Sequence, residues 1–225
     1  MLRLITQTGA AVIATALLVS PWGALAANTT DIVLTWQAQS LVPPTYMGRV
    51  LPTTGSAVLV SAQLLENKAI VTDPEGVFRW YVNDFLLREG AGLTTIQFTG
   101  EDVPSVDGAY AVELVVRGHG EETLRSKLLV PRVSPRLVLS TGLPGNTLNL
   151  AGTIITALPY FFNVRSLDEL SFSWTVGGVR QQTAVNRTLV SGSNEFAGTD
   201  LVVSATATGP RISDSATVTM SAFSR

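Results

Sequence analysis

Two tryptophans sit at the centres of alternating runs. Phe78, Trp80 and Val82 fall on one side of an extended chain, with Arg79, Tyr81 and Asn83 on the other. Phe172, Trp174 and Val176 repeat the pattern opposite Ser171, Ser173 and Thr175, 94 residues later. A period of two builds half-buried β-strands and cannot build an amphipathic helix. Val, Leu, Ile and Thr are abundant, and turn residues recur roughly every 8 to 12 positions, the rhythm of a sandwich or barrel. No segment carries a long helical period. The expected fold class is all-β.

The two tryptophan runs read as one unit used twice. Each ends in a dipeptide, Asn83-Asp84 or Gly177-Gly178, that tolerates the positive φ of a type I′ hairpin turn. A strand is expected before each, over 57–65 and 147–156. A long alternating strand follows, over 109–117 and 200–208, and a last strand closes each unit, over 123–130 and 215–220. Pro131-Arg132-Val133-Ser134-Pro135 joins them as an extended, stiff connection. The boundary falls near Val133, giving modules over 27–133 and 134–225, each near the ~100 residues of a small domain.

This order of signals resembles an immunoglobulin-like β-sandwich, where a Trp on the third strand packs between the sheets. The resemblance makes Trp80 and Trp174 those core residues. Asp107-Gly108-Ala109-Tyr110 resembles the tyrosine corner, with the Asp-to-Tyr spacing one residue short, which implies a structural role for Tyr110. Val112 stands where the family's second cysteine would be. The chain has no cysteine, so the inter-sheet disulfide is absent and each module relies on its apolar core. Modules of the polycystic-kidney-disease type are near relatives, but their Trp-Asp-Phe-Gly-Asp-Gly signature is missing.

Two further strings carry a second resemblance. Pro43-Pro44-Thr45-Tyr46-Met47-Gly48-Arg49-Val50-Leu51-Pro52, followed by Gly55-Ser56, is similar to uncharacterised exported proteins of candidate-phylum (Parcubacteria-like) bacteria. So is Ala157-Leu158-Pro159-Tyr160-Phe161-Phe162. Those proteins look like a signal peptide followed by tandem immunoglobulin-like modules, which implies a surface or envelope setting and no catalytic residue.

The N-terminal segment is read as a signal peptide over 1–26. Arg3 precedes an apolar run over 10–19, then Pro21 and Ala24-Leu25-Ala26. The small residues place cleavage between Ala26 and Ala27. The alternative is an uncleaved anchor, which needs about 20 apolar residues. Pro21 and Gly23 interrupt the run. The expected location is extracellular, cell surface or periplasmic, with membrane contact only if this segment is retained.

Composition removes whole classes of function. With 15 Lys+Arg against 17 Asp+Glu, there is no basic footprint for nucleic acid. One histidine and no cysteine exclude multi-histidine and thiolate metal sites. His119, between Gly118 and Gly120, could act as a base or ligand assisted by Glu121 and Glu122, but reads more simply as an exposed hairpin turn. Glu101, Asp102 and Asp107, with Asp73 and Glu75, could hold calcium, but lack an Asp-x-Asp-x-Asp run. Asp168 and Glu169 have no assignable partner for glycosidase work and read as turn residues. No Gly-x-Ser-x-Gly elbow occurs. The chain is expected to be no enzyme and to need no cofactor.

Binding surfaces remain. Trp36, Tyr46, Tyr81 and Tyr160 could stack on sugar, and Tyr81, opposite Trp80, is the best placed. Asn28-Thr29-Thr30 and Asn186-Arg187-Thr188 match the glycosylation pattern, which arises often by chance. Val202, Ser204, Thr206 and Thr208 form an uncharged strand face suited to a solvated sheet or to strand addition. The expected function is a non-enzymatic spacer, adhesion or assembly module with an envelope protein as partner. The alternative is a carbohydrate-binding module for envelope polysaccharide.

Overall fold

The computed structural model describes residues 30–224, apart from 73, 120–121, 144–146, 149–151, 191–199 and 212. The signal-peptide reading, with Ala26 and Ala27, lies outside the described residues, as do Asn28, Asp73 and Glu121.

Sixteen strands make up the described architecture. The first eight are β1 (Thr30–Ala38), β2 (Val58–Glu66), β3 (Ala69–Ile70), β4 (Val77–Val82), β5 (Phe85–Ala91), β6 (Thr95–Phe98), β7 (Ala109–Arg117) and β8 (Leu124–Pro131). In one sheet β2 pairs with β1 on one edge and with β6 and β3 on the other; the second sheet runs β5-β4-β7-β8. The remaining eight are β9 (Arg136–Ser140), β10 (Thr147–Leu148), β11 (Thr153–Tyr160), β12 (Ser171–Val176), β13 (Val179–Arg180), β14 (Arg187–Val190), β15 (Asp200–Thr208) and β16 (Ser215–Ser224). They form a sheet β14-β11-β9 and a sheet β10-β16-β15-β12-β13. Every pairing is antiparallel except that of β10 with β16.

The two halves share the order of their main strands. β2 and β11 are flanked by β1 and β6 in one case, and by β9 and β14 in the other. β4 and β12 lie between β5 and β7, or between β13 and β15. Two facing sheets, of four and four strands in the first half and of three and five in the second, with the Trp on an inner strand of one sheet, are the immunoglobulin-like sandwich plan, present twice in tandem. Two core clusters result and share no residue, one around Trp80, Phe78 and Leu114, the other around Trp174, Ile155 and Phe162.

Each tryptophan solves the same problem in the same way. Trp80 and Trp174 are 0% and 1% exposed, so each indole N–H needs an internal acceptor. Trp80 donates to the Leu93 carbonyl at 2.8 Å and Trp174 to the Val185 carbonyl at 2.9 Å. Both acceptors lie in the connection that leads back to the opposite sheet, so the ring ties the two sheets together.

The hairpin turns follow the sequence expectation. Asn83 and Asp84 have φ of 49° and 67°, and Gly177 and Gly178 of 55° and 82°, the left-handed pair of a type I′ turn. Asn83 adds its side chain, accepting from the Ala111 N–H at 2.8 Å and donating to the Pro104 carbonyl at 2.7 Å. Tyr110 is buried, its ring edge-on to Phe98 at 5.3 Å. Burial raises its phenol pKa, with Arg132 acting in the opposite sense.

One expected strand is corrected. Residues 147–156 form two strands in different sheets: β10 pairs with β16, while β11 pairs with β9 and β14 and runs on to Tyr160. Gly152, at φ 109°, sits just before β11 in a conformation that ordinary strands do not use. Alternation reports which face a side chain takes and carries no information about which sheet the strand joins.

The shared indole bond yields a paired prediction. Trp80→Phe and Trp174→Phe each leave a buried carbonyl without its donor, at a cost of about 1–3 kcal/mol. Urea denaturation should show similar losses for the two variants, each in its own half. A neutral result in either half would remove the indole bond from the account of the core.

Candidate functional site at the domain junction

The connection from β1 to β2 is long and rich in residues that resist regular pairing. Pro43, Pro44 and Pro52 lack an N–H. The Tyr46 N–H closes a turn onto the Pro43 carbonyl at 2.9 Å, and Ser56 and Thr53 close another at 3.1 Å. Gly55 has φ 82°. A Cβ there would collide with Arg211 Nη1 and approach Asn163 Nδ2 to 3.0 Å. Glycine therefore lets two side chains of the second sandwich close onto the backbone of the first.

This connection meets the end of β11. Leu41 donates its N–H to the Phe162 carbonyl and accepts from the Phe161 N–H, both at 2.7 Å. Phe161 is buried with φ 63°, an outlier for an aromatic residue. The left-handed residue breaks β11 and turns Phe162 toward Leu41. Tyr46 packs edge-on against Tyr160 at 5.8 Å and Phe161 at 5.6 Å, and the Arg136 guanidinium lies 5.9 Å from the Phe161 ring. The two strings over 43–52 and 157–162 are thus brought into contact with each other.

Polar groups close the remaining sides. Arg211, between β15 and β16, pairs with Glu101 across the junction. Val133 donates its N–H to the Pro52 carbonyl at 3.0 Å, Arg132 donates to the Gly108 carbonyl at 2.8 Å, and the Arg132 side chain donates to Thr54 Oγ1 at 2.6 Å. The stiff connection between modules is therefore bonded to the first sandwich. Asp214 is 1% exposed. Its Oδ1 accepts from the Asn163 N–H at 2.9 Å, while Oδ2 has no partner among the described residues. Burial raises the Asp214 pKa, against the opposing effects of the Asn163 bond and of Arg211. Between the sandwiches lies an open cleft of about 810 Å³, walled by residues 39–42 on one side and by Asn163, Arg165 and Arg211 on the other.

The residues singled out from sequence have other placements. Tyr46 and Tyr160 pack on each other rather than presenting free rings. Trp36 is half-buried against the first core with the Arg49 guanidinium 4.7 Å from its ring. Tyr81 lies half-buried on the outer face of β4, between Leu86 and Glu113, with no aromatic neighbour among the described residues. Glu113 bonds Arg125 and Lys127, both at 3.1 Å. Burial would raise its pKa, but the two cations outweigh it and hold the carboxyl below its usual value.

His119 departs from the exposed-turn expectation. Its side chain is 11% exposed and Nε2 lies 2.9 Å from Glu66 Oε1, so the acid beside it comes from β2, 53 residues away. Asp102 accepts from the Thr99 N–H and hydroxyl at 2.7 and 2.9 Å, which makes it a turn-former. Glu169 accepts from the N–H groups of Arg165 and Ser166 at 2.9 and 3.1 Å, and Asp168 lies in the same capped 3-10 turn, Leu167–Glu169. Thr188 of the second glycosylation pattern is buried in β14.

The hydroxyl face of β15 extends over its neighbours. Ser173, Thr206 and Thr217 align across three strands, as do Thr175, Ser204 and Thr219. Thr206 and Thr217 share a hydrogen bond of 2.8 Å, and Thr219 donates to Ser204 Oγ at 3.3 Å. Leu201, Val203, Ala205 and Ala207 point into the core.

No family model matches the chain, and no curated protein matches it. Solved structures do. Three N-terminal domains of the Highly Immunogenic Outer Capsid protein (Hoc) of bacteriophage RB49 align at 13% identity and TM-score 0.45, over 85% of this chain and 59% of that one. The four N-terminal Ig domains of Dscam1 isoform 7.44 align at 10% and 0.32, over 85% and 46%. The ectodomain of mouse nectin-like molecule 4 aligns at 12% and 0.33, over 85% and 66%. The chain thus spans about half to two thirds of these structures. At such scores the fold assignment rests on the strand order above.

Asp214 makes stability depend on pH. A carboxyl whose folded pKa is raised holds its proton more tightly when folded. Its favourable contribution is complete below the unfolded value, near pH 4, and is lost as pH rises through the folded value. Asp214→Asn removes this loss. The stability of the variant relative to the parent should therefore increase from pH 3 to pH 7 in urea titrations; a pH-independent difference would contradict the assignment.

Proposed function

We propose that the protein is an exported, non-enzymatic component of the cell envelope or cell surface. Its two immunoglobulin-like modules form a spacer of fixed shape that presents sheet faces and loops for adhesion or assembly. In this reading the chain is cut between Ala26 and Ala27, and the module boundary lies at Val133, giving 27–133 and 134–225. Among the described residues no helix is long and apolar enough to cross a membrane. His119 is engaged by Glu66, and among the described residues no nucleophile is bonded to it.

The junction carries the proposal. Two backbone hydrogen bonds contribute about 0.5–1.5 kcal/mol each, and each edge-on ring pair about as much. The exposed Glu101–Arg211 pair adds little. A total of about 3 kcal/mol already favours one arrangement by more than about 100 to 1. A freely jointed pair of domains would lack these contacts and could not hold a spacing.

Residual dipolar couplings test this directly. In the parent protein both modules should report one alignment tensor. Leu41→Pro deletes the N–H that bonds Phe162 and should separate the tensors while each module keeps its own amide spectrum. Independent tensors in the parent would refute a fixed spacer.

Tyr81 supports a second reading, a module for envelope polysaccharide, because its ring has one side open on a sheet face. Saturable binding to purified polysaccharide should then fall about tenfold or more in Tyr81→Ala, the loss of one stacked ring. Equal binding by parent and variant would exclude this ring as the contact.

A further inference from the structure

The sheet opposite each tryptophan strand carries charge of one sign only. Sheet β14-β11-β9 holds Arg136 and Arg187 and no acidic residue. The sheet of β1, β2, β3 and β6 holds Asp31 and Glu66 and no lysine or arginine. One charge of each pair is engaged within the chain: Arg136 lies over the Phe161 ring and Glu66 bonds His119. Arg187 and Asp31 stay exposed, each beside apolar side chains. Leu189 and Ile154 stand opposite each other in register, 63% and 59% exposed, on the strands that place Arg187 one row away. Asp31 stands opposite Leu65, and Leu65 opposite Ile70, which is 59% exposed; Val33 follows on the same face. Single exposed apolar residues are ordinary, whereas contiguous ones mark a contact surface. Both clusters lie away from the junction, which β1 and β11 reach at their other ends, Ala38 and Tyr160. Tyr46 already covers Tyr160 there.

We propose that these two faces bind each other between copies of the chain, the β14-β11-β9 face of one copy packing on the β1-β2-β6 face of the next. Arg187 meets Asp31, because a guanidinium fork matches a carboxylate. Leu189 and Ile154 meet Leu65, Ile70 and Val33, as sheets do when they stack about 10 Å apart. One face used twice would bring like charge to both sides of the contact and give neither a partner. The contact is therefore heterologous: each copy keeps one face free, so copies add head to tail. Three strands and four rows give each face roughly 14 by 27 Å, short of the about 800 Å² that each partner buries in a standard complex. Association in solution is accordingly weak, with Kd of about 0.1–1 mM, and strengthens where copies are held side by side. The proposal rests on the assembly reading above and names the partner as a second copy of the chain.

Sedimentation velocity from about 10 µM to about 1 mM tests this. The mean mass of the parent should rise with concentration, while Ile154→Asp and Ile70→Asp each stay monomeric with the amide spectrum of a folded protein. A mixture of these two variants should form one-to-one pairs and nothing longer, because each supplies the face that the other lacks. Arg187→Asp and Asp31→Arg should each weaken association about tenfold, and the double variant should recover it. A parent that stays monomeric, a double swap without recovery, or single variants that associate like the parent would each overturn the proposal. Loss in Ile154→Asp with no pairing in the mixture would overturn it in favour of a symmetric contact. Binding of the parent to phosphatidylglycerol vesicles in place of self-association would overturn it in favour of a lipid surface. The alignment tensors of monomeric Ile154→Asp report the fixed spacing independently, so a failure of the spacer reading and a failure of this contact are distinguishable.

Discussion

A buried indole must place its N–H on an acceptor, and this requirement organises each half of the molecule. Without cysteine, no covalent bond joins the sheets. Trp80 and Trp174 instead bond carbonyls 13 and 11 residues further along. Those acceptors lie on the path from the sheet that holds the Trp to the sheet that faces it. The ring supplies the largest buried surface at the centre of the sandwich, and its single polar atom fixes how the chain returns. Hydrophobic burial alone has no direction; the indole bond gives the packing one.

The junction applies the same economy of means between domains. Phe161 adopts a backbone conformation that costs of order 1–3 kcal/mol for a residue with a side chain. The cost is offset where it arises. The turn it makes delivers the Phe162 carbonyl to Leu41, and its own ring is gripped between Tyr46 and Arg136. Gly55 then leaves the space into which Arg211 and Asn163 fit. Concessions by one sandwich are matched by groups on the other, so the two could not be separated without leaving a strained residue and a strand edge unsupported.

What was legible in the sequence follows from the range of the interactions. Phe78-Trp80-Val82 and Phe172-Trp174-Val176 declare their faces within six residues, and Asn83-Asp84 and Gly177-Gly178 declare their turns within two. The tandem plan could be read from these. The partner of His119 could not, because Glu66 is brought to it by the pairing of distant strands. Tyr46 and Tyr160 were visible as aromatics in turn-rich strings, yet their contact depends on where two domains meet. Phe161 gave no signal at all, since positive φ is advertised by glycine or asparagine and hardly ever by phenylalanine. The split between β10 and β11 was hidden for a related reason: alternation persists along a chain even where it passes from one sheet to the other.

A contrast between the two larger sheets shows how one plan can be fitted to different surroundings. The outer face of β4, β7 and β8 carries Arg79, Glu113, Arg125 and Lys127 in cross-strand ion pairs. The matching face of β12, β15 and β16 carries rows of serine and threonine, those of β15 and β16 bonded to one another. Charged rows keep strongly held water and repel a similar surface brought near, and they protect edges from pairing. Hydroxyl rows satisfy each other across strands and present no net charge to a neighbour. The outer face of β4, β7 and β8 is thus guarded by charge, whereas the rows on β12, β15 and β16 carry hydroxyls instead. The two outer faces differ in chemistry although the strand plan beneath them is the same.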